Sequence, residues 1–263
     1  MRRGKAIRRR RWNELREKRG RGIFLLPALL TIGNLFSGFY ALLLTLDQRY
    51  TEAAYAIFVA MIMDMLDGRV ARLVKATSQF GVEFDSLADV VSFCAAPAFL
   101  LYAFALADMP RAAWFGTALF VICGALRLAR FNVQTGTVDK RFFVGLPTPA
   151  GAAVVVSTVI LLNGVELSRW ELVAIAVESY VVALLMVSTF RYWSFKDIEF
   201  ARRRPVQTLL VAILAIMIVA TNHEWFLFLG FLGYALSGPL GRLLVGRTSP
   251  TTTTDLVPKD VTY

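Results

Sequence analysis

Long apolar runs constrain the fold of this chain more than any other feature. Runs of about 20 apolar residues match the hydrocarbon thickness of a bilayer, and a soluble domain would not repeat them. Eight such runs lie along the 263 residues, which are 57% hydrophobic: 23–46, 52–66, 84–106, 112–129, 149–165, 171–190, 206–221 and 225–245. The second is short, so we expect its helix to continue to about residue 74. The predicted fold class is an all-α integral membrane protein with about eight transmembrane helices.

The positions of the basic residues test this count, because inner loops of membrane proteins collect Lys and Arg. With a cytoplasmic N-terminus and eight crossings, 26 of the 29 basic residues fall on the inner side, leaving Arg49, Arg111 and Arg169 outside. Removing one span would reverse the side of every later loop. The bias predicts a protein of the cell (inner) membrane with both termini in the cytoplasm.

Residues 1–22 are strongly basic, with eleven Lys and Arg against Glu14 and Glu17, a net charge of +9. Directly before a span, such a segment predicts a short cytoplasmic amphipathic helix on anionic lipid, where each cation contributes roughly 1 kcal/mol. A nucleic-acid-binding arm is the alternative, and the position beside the membrane disfavours it. The first apolar run is too long for a secretory signal peptide, and no small-residue cleavage site follows it.

The scarcity of cysteine and histidine excludes some chemistry. Cys94 and Cys123 fall in predicted spans without CxxC spacing, which favours simple buried packing. His223, the only histidine, is expected in the short outer loop TNHE. A Ser-His or Cys-His mechanism on the cytoplasmic side therefore has no histidine available. Proton transfer must rest on carboxylates.

We expect one membrane domain with short loops and two soluble ends. The end at 246–263 has few large apolar residues, which predicts a disordered cytoplasmic tail. The longest inner loop, around 130–148, carries Gly and Pro residues that indicate irregular backbone. The sequence shows no fixed-period repeat and no inverted half, which argues against a transporter.

The stretch DMLDGRVARLVKATSQFGVEFDSLAD, residues 64–89, places four aspartates in this apolar chain. Two sets of its residues each share one helix face at 100° per residue: Asp64, Asp67, Gly68, Ala71 and Arg72 in the first, and Gly81, Asp85 and Asp89 in the second. A turn at KATSQF would make the second and third spans an antiparallel hairpin. The four carboxylates are then expected to converge near the cytoplasmic mouth of a cavity.

Converging carboxylates would repel one another, and partial desolvation would add to the cost. Divalent cations relieve both effects, because Mg²⁺ and Mn²⁺ prefer oxygen ligands. Two metals about 4 Å apart, bridged by carboxylates, are typical of phosphoryl transfer. Gly68 and Gly81 leave the helix surface open to a ligand, and Arg72 can bind a phosphate.

Intramembrane acids also occur in ion pathways and in salt bridges, for which Arg69, Arg72 and Lys75 are available here. A cation transporter would use acids in this way. It would not need a Gly-x2-Ala-Arg face, and its acids should be spread across the membrane rather than gathered at one mouth. The pattern therefore favours a phosphoryl-transfer site.

The spacing D-x2-D-G-x2-A-R-x8-G-x3-D-x3-D resembles the signature of the CDP-alcohol phosphotransferase family, and all eight fixed positions match. That family joins an alcohol to the phosphatidyl group of a CDP-linked lipid and releases CMP. The resemblance implies two divalent cations, Mg²⁺ or Mn²⁺, and a base at Asp89. The implied metal ligands are Asp64, Asp67, Asp85 and Asp89, and the implied lining of the CDP site is Gly68, Ala71, Arg72 and Gly81.

Three further stretches resemble the branch of this family that uses serine: LPALLTIGNLFSGFYAL (26–42), RLARFNV (127–133) and GLPTPAGA (145–152). The resemblance implies a six-helix core at 23–190 and two additional transmembrane helices within 191–245. It also implies CDP-diacylglycerol and L-serine as substrates, and a homodimer. One departure is SFCAAPA at 92–98, where a glycine is expected near Cys94 or Ala95.

Polar residues beside the signature are candidates for substrate binding. Arg127, Arg130 and Asn132 at the inner end of the fourth span can bind serine, although inner arginines also occur without such a role. Thr31 and Asn34, one turn apart, can bind the cytidine phosphate region or a neighbouring helix. The acceptor stays open to glycerol 3-phosphate, an inositol phosphate or choline, and the donor to an archaeal-type ether lipid.

Overall fold

The computed structural model describes residues 26–74, 78–107, 109, 111–134, 142–193 and 222–245. Its helices are α1 (Leu26–Leu46), α2 (Tyr50–Leu73), α3 (Gln79–Asp89), α4 (Ala96–Leu101), α5 (Arg111–Gln134), α6 (Thr148–Leu162), α7 (Arg169–Val187) and α8 (His223–Val245). Two π-helical segments, π1 (Val90–Ala95) and π2 (Tyr102–Leu106), flank α4. Two strands, β1 (Phe142–Val144) and β2 (Arg191–Trp193), complete the described elements. The predicted N-terminal helix, the run 206–221 and the predicted tail lie outside these residues.

The described helices are those of a membrane protein. Four are long and apolar enough to cross a bilayer: Leu26–Leu46, Gln79–Leu106, Trp114–Val133 and Arg169–Val187. The α2 helix reaches Leu73, as its polar face predicted. The α6 helix is apolar but has only 15 residues, about 22 Å at the rise of an α-helix. The fold is helical and membrane-embedded, and the count of eight spans stays a prediction.

The α6 helix lies at the centre of the fold because it is apolar on all sides. Its residues from Gly151 to Ile160 are buried without interruption. It packs against α2, α4, α7 and most extensively against α8. Gly151 lets α7 approach closely, since a Cβ there would overlap the side chain of Met186. The helices that carry polar residues are thereby held around an apolar centre.

The helical segment from α3 to π2 is continuous, but its backbone hydrogen-bond pattern is irregular. The π1 segment begins directly after Asp89, and Pro97 lies at the start of the following α4. Proline has no N–H to donate to the preceding turn, so the regular hydrogen-bond ladder is interrupted there. Such π turns are frequent at functional sites. The irregularity places an unusual helical turn directly beside an aspartate of the signature.

The two strands form an antiparallel pair that the sequence did not predict. Phe142 pairs with Trp193 and Val144 with Arg191. Aromatic and branched residues favour extended backbone, yet three residues are too few to show an alternating pattern. The pair joins the segment before α6 to the segment after α7. Part of the loop that was expected to be irregular is therefore ordered as a strand.

Polar contacts lie at both ends of α6. At its beginning, Thr148 accepts a hydrogen bond of 2.7 Å from Arg127 of α5. Just beyond its end, Asn163 donates to the Thr51 hydroxyl at 2.6 Å, near the beginning of α2. The strand pair lies at the Thr148 end, because β1 leads into α6. The two ends of the bundle thus have separate sets of contacts.

His223 is the first residue of α8 rather than part of a loop. The helix begins two residues earlier than the apolar run suggested, because hydropathy alone misses a polar first turn. The Nε2 atom of His223 lies 3.2 Å from the exposed Tyr55 hydroxyl near the beginning of α2. Cys94 and Cys123 are both free and buried, as predicted.

Candidate active site

Four aspartates of the signature lie on two helices, Asp64 and Asp67 on α2 and Asp85 and Asp89 on α3. The oxygens offered by Asp64, Asp67 and Asp85 lie within 4.8 Å of one another. Asp67 and Asp89 are buried, and the other two are half-buried. Asp89 interacts electrostatically with the other three carboxylates. The helical spacing read from the sequence thus brings the signature carboxylates of both helices together.

The α1 helix supplies a hydrogen-bond donor to each buried aspartate. The Thr31 hydroxyl donates to Asp67 Oδ2 at 2.9 Å, and Asn34 Nδ2 donates to Asp89 Oδ1 at 3.1 Å. Three residues of helix separate the two donors, so both face the same side of α1. Donors of this kind orient carboxylate ligands. In the structure these side chains contact neighbouring helices, and their binding to a cytidine phosphate stays a prediction.

A close approach between α1 and π1 holds Asn34 in place. The Ser92 hydroxyl of π1 donates to the backbone oxygen of Asn34 at 3.0 Å. Gly38 makes this possible, since a Cβ there would overlap both the side chain and the Cα of Ser92. Thr31, Asn34 and Gly38 follow helical offsets of 0, 3 and 7, which place them on one face. The sequence named the first two, whereas Ser92 and Gly38 were not identified as site residues.

The glycines of the signature have different surroundings. Gly68 lies beneath the end of Arg72, with a Cβ position 3.6 Å from an Nη1 atom of that arginine. Gly81 lies in the first turn of α3, where its N–H donates to the Ser78 hydroxyl at 3.0 Å. A Cβ on Gly81 would sit 3.1 Å from the same hydroxyl. Arg72 is exposed and Ala71 is half-buried, so this face of α2 is accessible to a ligand.

Arg127 is the candidate cation that is buried. It is only 8% exposed, and it interacts electrostatically with Asp89. One of its guanidinium nitrogens donates to Thr148, and its Nε has no hydrogen-bond partner among the described residues. A buried unpaired donor is costly. The atom is therefore suited to an acceptor that a substrate supplies.

The other two candidates of α5 are held elsewhere. Arg130 donates to the backbone oxygen of Val187 at 3.4 Å. Asn132 donates to the Ser86 hydroxyl of α3 at 2.9 Å. Arg127 is therefore the one of the three whose side chain has a buried donor without a partner among the described residues. The spacing of the three residues along α5 did not distinguish them. Their partners depend on which helices pack against each face of α5, and the sequence does not show this.

Gly124 explains how the chain packs without the glycine that the family resemblance led us to expect near Cys94 or Ala95. A Cβ on Gly124 would overlap the sulfur of Cys94 and would lie 3.4 Å from a methyl carbon of Thr148. The contact between π1, α5 and α6 thus has its glycine on α5, one turn before Arg127. Cys94 fills the space that this glycine leaves. The close packing fixes the backbone that carries Arg127 relative to π1 and Asp89.

The donor set fits divalent cations. Its ligands are carboxylate oxygens, which Mg²⁺ and Mn²⁺ prefer. Among the described residues, no arginine or lysine forms an ion pair with the cluster, and the buried Oδ1 of Asp85 has no hydrogen-bond partner. Carboxylates in this state lack charge compensation. Bound cations would supply it, and the exposed face beside Arg72 leaves room for a phosphate.

The sequence of this chain is similar to those of known proteins. A family model described as CDP-alcohol phosphatidyltransferase matches residues 24–178. A CDP-diacylglycerol–serine O-phosphatidyltransferase of Helicobacter pylori is 40% identical over 179 residues, which are 67% of this chain and 75% of that protein. Proteins of the same name are 36% identical in Methanocaldococcus jannaschii (172 residues, 65% of this chain and 75% of that protein) and 33% in Bacillus subtilis (172 residues, 65% and 91%). The resemblance read from the signature is confirmed, and the chain belongs to the CDP-alcohol phosphatidyltransferase family of enzymes.

Proposed function

We propose that the chain makes phosphatidylserine by transferring the phosphatidyl group of CDP-diacylglycerol to the hydroxyl of L-serine, with release of CMP. The observation that carries the proposal is the carboxylate cluster, together with the buried guanidinium of Arg127 on α5. The cluster suits a diphosphate donor, and the buried cation suits an acceptor that bears a carboxylate. The names of the relatives support both substrates.

Asp89 acts as the general base in this proposal. It removes the proton of the serine hydroxyl as the oxygen attacks the phosphorus next to diacylglycerol. A new serine oxygen–phosphorus bond forms, the bond from that phosphorus to the bridging oxygen breaks, and CMP leaves. Asn34 supports the role by holding one oxygen of Asp89, which leaves the other for the proton. Such a positioned base contributes about 10²- to 10⁴-fold to a rate.

Asp64, Asp67, Asp85 and Asp89 would hold two divalent cations, Mg²⁺ or Mn²⁺. When bound, the cations would neutralise the diphosphate and stabilise the charge that develops during transfer. Thr31 orients Asp67 for this role through its hydrogen bond. The carboxylates come from two helices, so the placement of α2 relative to α3 defines their separation.

The CDP group would lie along the face of α2 and α3 that has little side-chain bulk. Gly68, Ala71 and Gly81 would line it, and Arg72 would bind a phosphate oxygen. The exposure of Arg72 supports this role. Thr31 and Asn34 would act at the phosphates through the carboxylates that they orient.

Serine would bind on the side of α5. Its carboxylate would accept a hydrogen bond from the Nε of Arg127, which has no partner among the described residues. Its hydroxyl would then lie toward Asp89. Arg130 and Asn132 would contribute more weakly, because each already has a partner. Ammonium recognition would use the remaining carboxylate oxygens of the site.

The proposed topology has eight transmembrane helices with both termini and the active site on the cytoplasmic side. Residues 1–22 would form the basic amphipathic segment, 23–190 the six-helix core, 191–245 the two additional helices and 246–263 the tail. The separate contacts at the two ends of α6 support the alternating directions of the helices. Contact of residues 1–22 with anionic lipid and assembly as a homodimer belong to the same proposal.

The test is CMP release by purified protein in detergent, with CDP-diacylglycerol and Mn²⁺ or Mg²⁺. Serine, glycerol 3-phosphate, inositol, inositol phosphate and choline are offered in parallel, and the lipid product is identified by mass. Asp89→Asn is compared with Glu83→Gln, an exposed acid on the same helix. Metal removal with a chelator, followed by restoration, tests the need for cations.

Release with serine alone, lost by at least about 100-fold in Asp89→Asn and kept in Glu83→Gln, is the expected result. Release with another alcohol would overturn serine as the acceptor and keep the transfer chemistry. Release that survives Asp89→Asn would remove Asp89 as the base. A folded protein that releases CMP with none of the alcohols would overturn the proposal.

A further inference from the structure

Three buried side-chain atoms in the described part of the chain have no hydrogen-bond partner, and two of them already have a proposed role. The three atoms are Oδ1 of Asn34, Oδ1 of Asp85 and Nε of Arg127. Asp85 would bind cations, and Arg127 would bind the carboxylate of serine. The Asn34 oxygen has no such role, although an unpaired buried acceptor is costly. It is therefore suited to a donor that a ligand supplies.

The hydrogen bond of Asn34 determines which atom of its amide faces the carboxylate. Nδ2 donates to Asp89 Oδ1 at 3.1 Å. A flipped amide would place its oxygen against an ionised carboxylate, and neither group could then donate. Oδ1 is thus the atom without a partner, and it lies at most about 6 Å from Asp89 Oδ1, since the C=O and C–N bonds of an amide are about 1.2 and 1.3 Å long. The unpaired acceptor is a close neighbour of the proposed base.

The backbone of Asn34 is held in place, so its amide has a defined position. The Ser92 hydroxyl donates to the Asn34 backbone oxygen at 3.0 Å, and Gly38 lets α1 and π1 approach closely at this point. Asn34 is 0% exposed, whereas Asp89 is 9% exposed. Because only Asp89 of this pair has an exposed fraction, a ligand that reaches the amide oxygen passes the carboxylate of Asp89. That ligand is the alcohol that gives its proton to Asp89.

The two acceptors match two neighbouring donors of serine. In L-serine the ammonium is on the carbon next to the one that carries the hydroxyl. The hydroxyl would donate to the oxygen of Asp89 that Asn34 does not hold, which leaves the ammonium to donate to Oδ1 of Asn34. An amide oxygen accepts from a cation without adding negative charge to a site that already contains four carboxylates.

We propose that Asn34 is a specificity-determining residue, which accepts a hydrogen bond from the ammonium of the acceptor and so selects an alcohol with an amino group beside its hydroxyl. The inference rests on the proposed function and adds an amide oxygen to the carboxylate oxygens that would surround the ammonium. Asn34 then has two roles, because Nδ2 orients Asp89 and Oδ1 binds the ammonium. The first role affects every acceptor alcohol, and the second affects only those with an N–H donor.

The test compares L-serine with 3-hydroxypropionate, which keeps the hydroxyl and the carboxylate of serine and lacks the amino group. CMP release with CDP-diacylglycerol and Mn²⁺ gives kcat/KM for each acceptor in the wild type, Asn34→Leu and Asn34→Ala. Loss of Nδ2 should lower both values. Loss of Oδ1 should lower only the value for serine. The ratio of serine to 3-hydroxypropionate should therefore fall by about tenfold or more, the effect of one lost hydrogen bond to a charged group.

Thr31→Val is the matched control, because Thr31 lies on the same face of α1 and also donates to a buried aspartate. It should keep the ratio of the two kcat/KM values within about twofold, since its hydroxyl is not expected to contact the ammonium. Variants with turnover too slow to measure are compared by the rise in Tm that each acceptor produces with CMP and Mn²⁺ present, which reports binding without turnover. If Asn34→Leu does not fold, Asn34→Ala decides the inference by the same ratio.

An unchanged ratio in the Asn34 variants would overturn the inference and leave the proposed function intact. An equal fall of the ratio in Thr31→Val would also overturn it, because the loss would then not be specific to Asn34. Serine-dependent CMP release by the wild-type protein tests the proposed function separately. Release only with an alcohol that has no N–H donor, such as choline or glycerol 3-phosphate, would overturn both.

Discussion

At the scale of single residues, the two buried aspartates differ from the two half-buried ones in having donors from α1. Thr31 holds Asp67 and Asn34 holds Asp89. Asp64 and Asp85 are half-buried. Two carboxylates are oriented by hydrogen bonds and two are less restrained. This combination suits a site that binds cations first and a large diphosphate afterwards. The donors on α1 are therefore expected to affect metal affinity more than folding.

Thr31→Val tests this expectation, because it removes the hydroxyl and keeps the shape. The apparent affinity for Mn²⁺ should fall by about tenfold, the lower end of the effect of removing a group that orients a metal ligand. Mn²⁺ binding followed by electron paramagnetic resonance gives the affinity independently of turnover.

Thr45→Val is the matched control, since Thr45 is a buried threonine of the same helix whose hydroxyl donates to Ala41. It should leave Mn²⁺ affinity unchanged. Equal Mn²⁺ affinities for the two variants would show that the hydrogen bond to Asp67 does not orient a ligand.

At the scale of elements, the contact between α1 and π1 links the fold to the site. The backbones of the two elements lie so close at Gly38 and Ser92 that a Cβ on Gly38 would overlap the Cα of Ser92. The Ser92 hydroxyl also donates to the backbone oxygen of Asn34. The wider turn of π1 begins directly after Asp89. Separation of these two elements would move Asn34 away from Asp89. Stability and activity are therefore expected to be coupled at this interface.

Gly38→Ala should reduce both the stability and the activity of the protein. Its Cβ would overlap the Cα of Ser92, and overpacking of this kind costs about 1–3 kcal/mol. We expect a lower Tm in detergent and a loss of kcat that persists at temperatures where the variant remains folded.

Gly233→Ala of α8 is the control, because nothing among the described residues lies within 4 Å of the added Cβ. Alanine is favoured over glycine in a helix by up to about 1 kcal/mol, so the Tm should stay the same or rise. A Gly38→Ala protein with an unchanged Tm would contradict the close packing.

At the scale of the whole molecule, charge and hydropathy define how the chain meets the membrane. The net charge of +9 in residues 1–22 is nearly the whole +10 of the chain. Anionic lipid attracts such a segment by roughly 1 kcal/mol per cation. The segment adjoins α1, which carries both donors to the buried aspartates. The proposed contact of this segment with lipid would influence the site through α1.

Deletion of residues 1–20 should reduce the dependence of activity on anionic lipid. CMP release is measured in vesicles with and without phosphatidylglycerol, at matched protein content. We expect phosphatidylglycerol to stimulate the full chain and to have little effect on the truncated one.

Deletion of residues 246–263 is the control of similar length, because that tail has no comparable excess of basic residues. It should keep the lipid response. If deletion of residues 1–20 leaves the response to phosphatidylglycerol intact, the basic segment has no regulatory role.

The sequence alone determined the membrane class, the helical faces of the aspartates and the family. Each of these depends on local pattern: runs of apolar residues, a period of 3.6 and a fixed spacing. Asp64, Asp67, Asp85 and Asp89 could be predicted as site residues because a helix places residues of this spacing on a shared face. The extension of α2 to Leu73 followed from the same period.

Only the tertiary structure decided which helices meet and which atoms face one another. Thr31 and Asn34 were polar residues without assigned partners until the packing of α1 placed them on Asp67 and Asp89. The strand pair joins residues that lie far apart along the chain, which no local pattern relates. Contacts of this kind depend on close packing around α6, where single glycines determine how near two helices come.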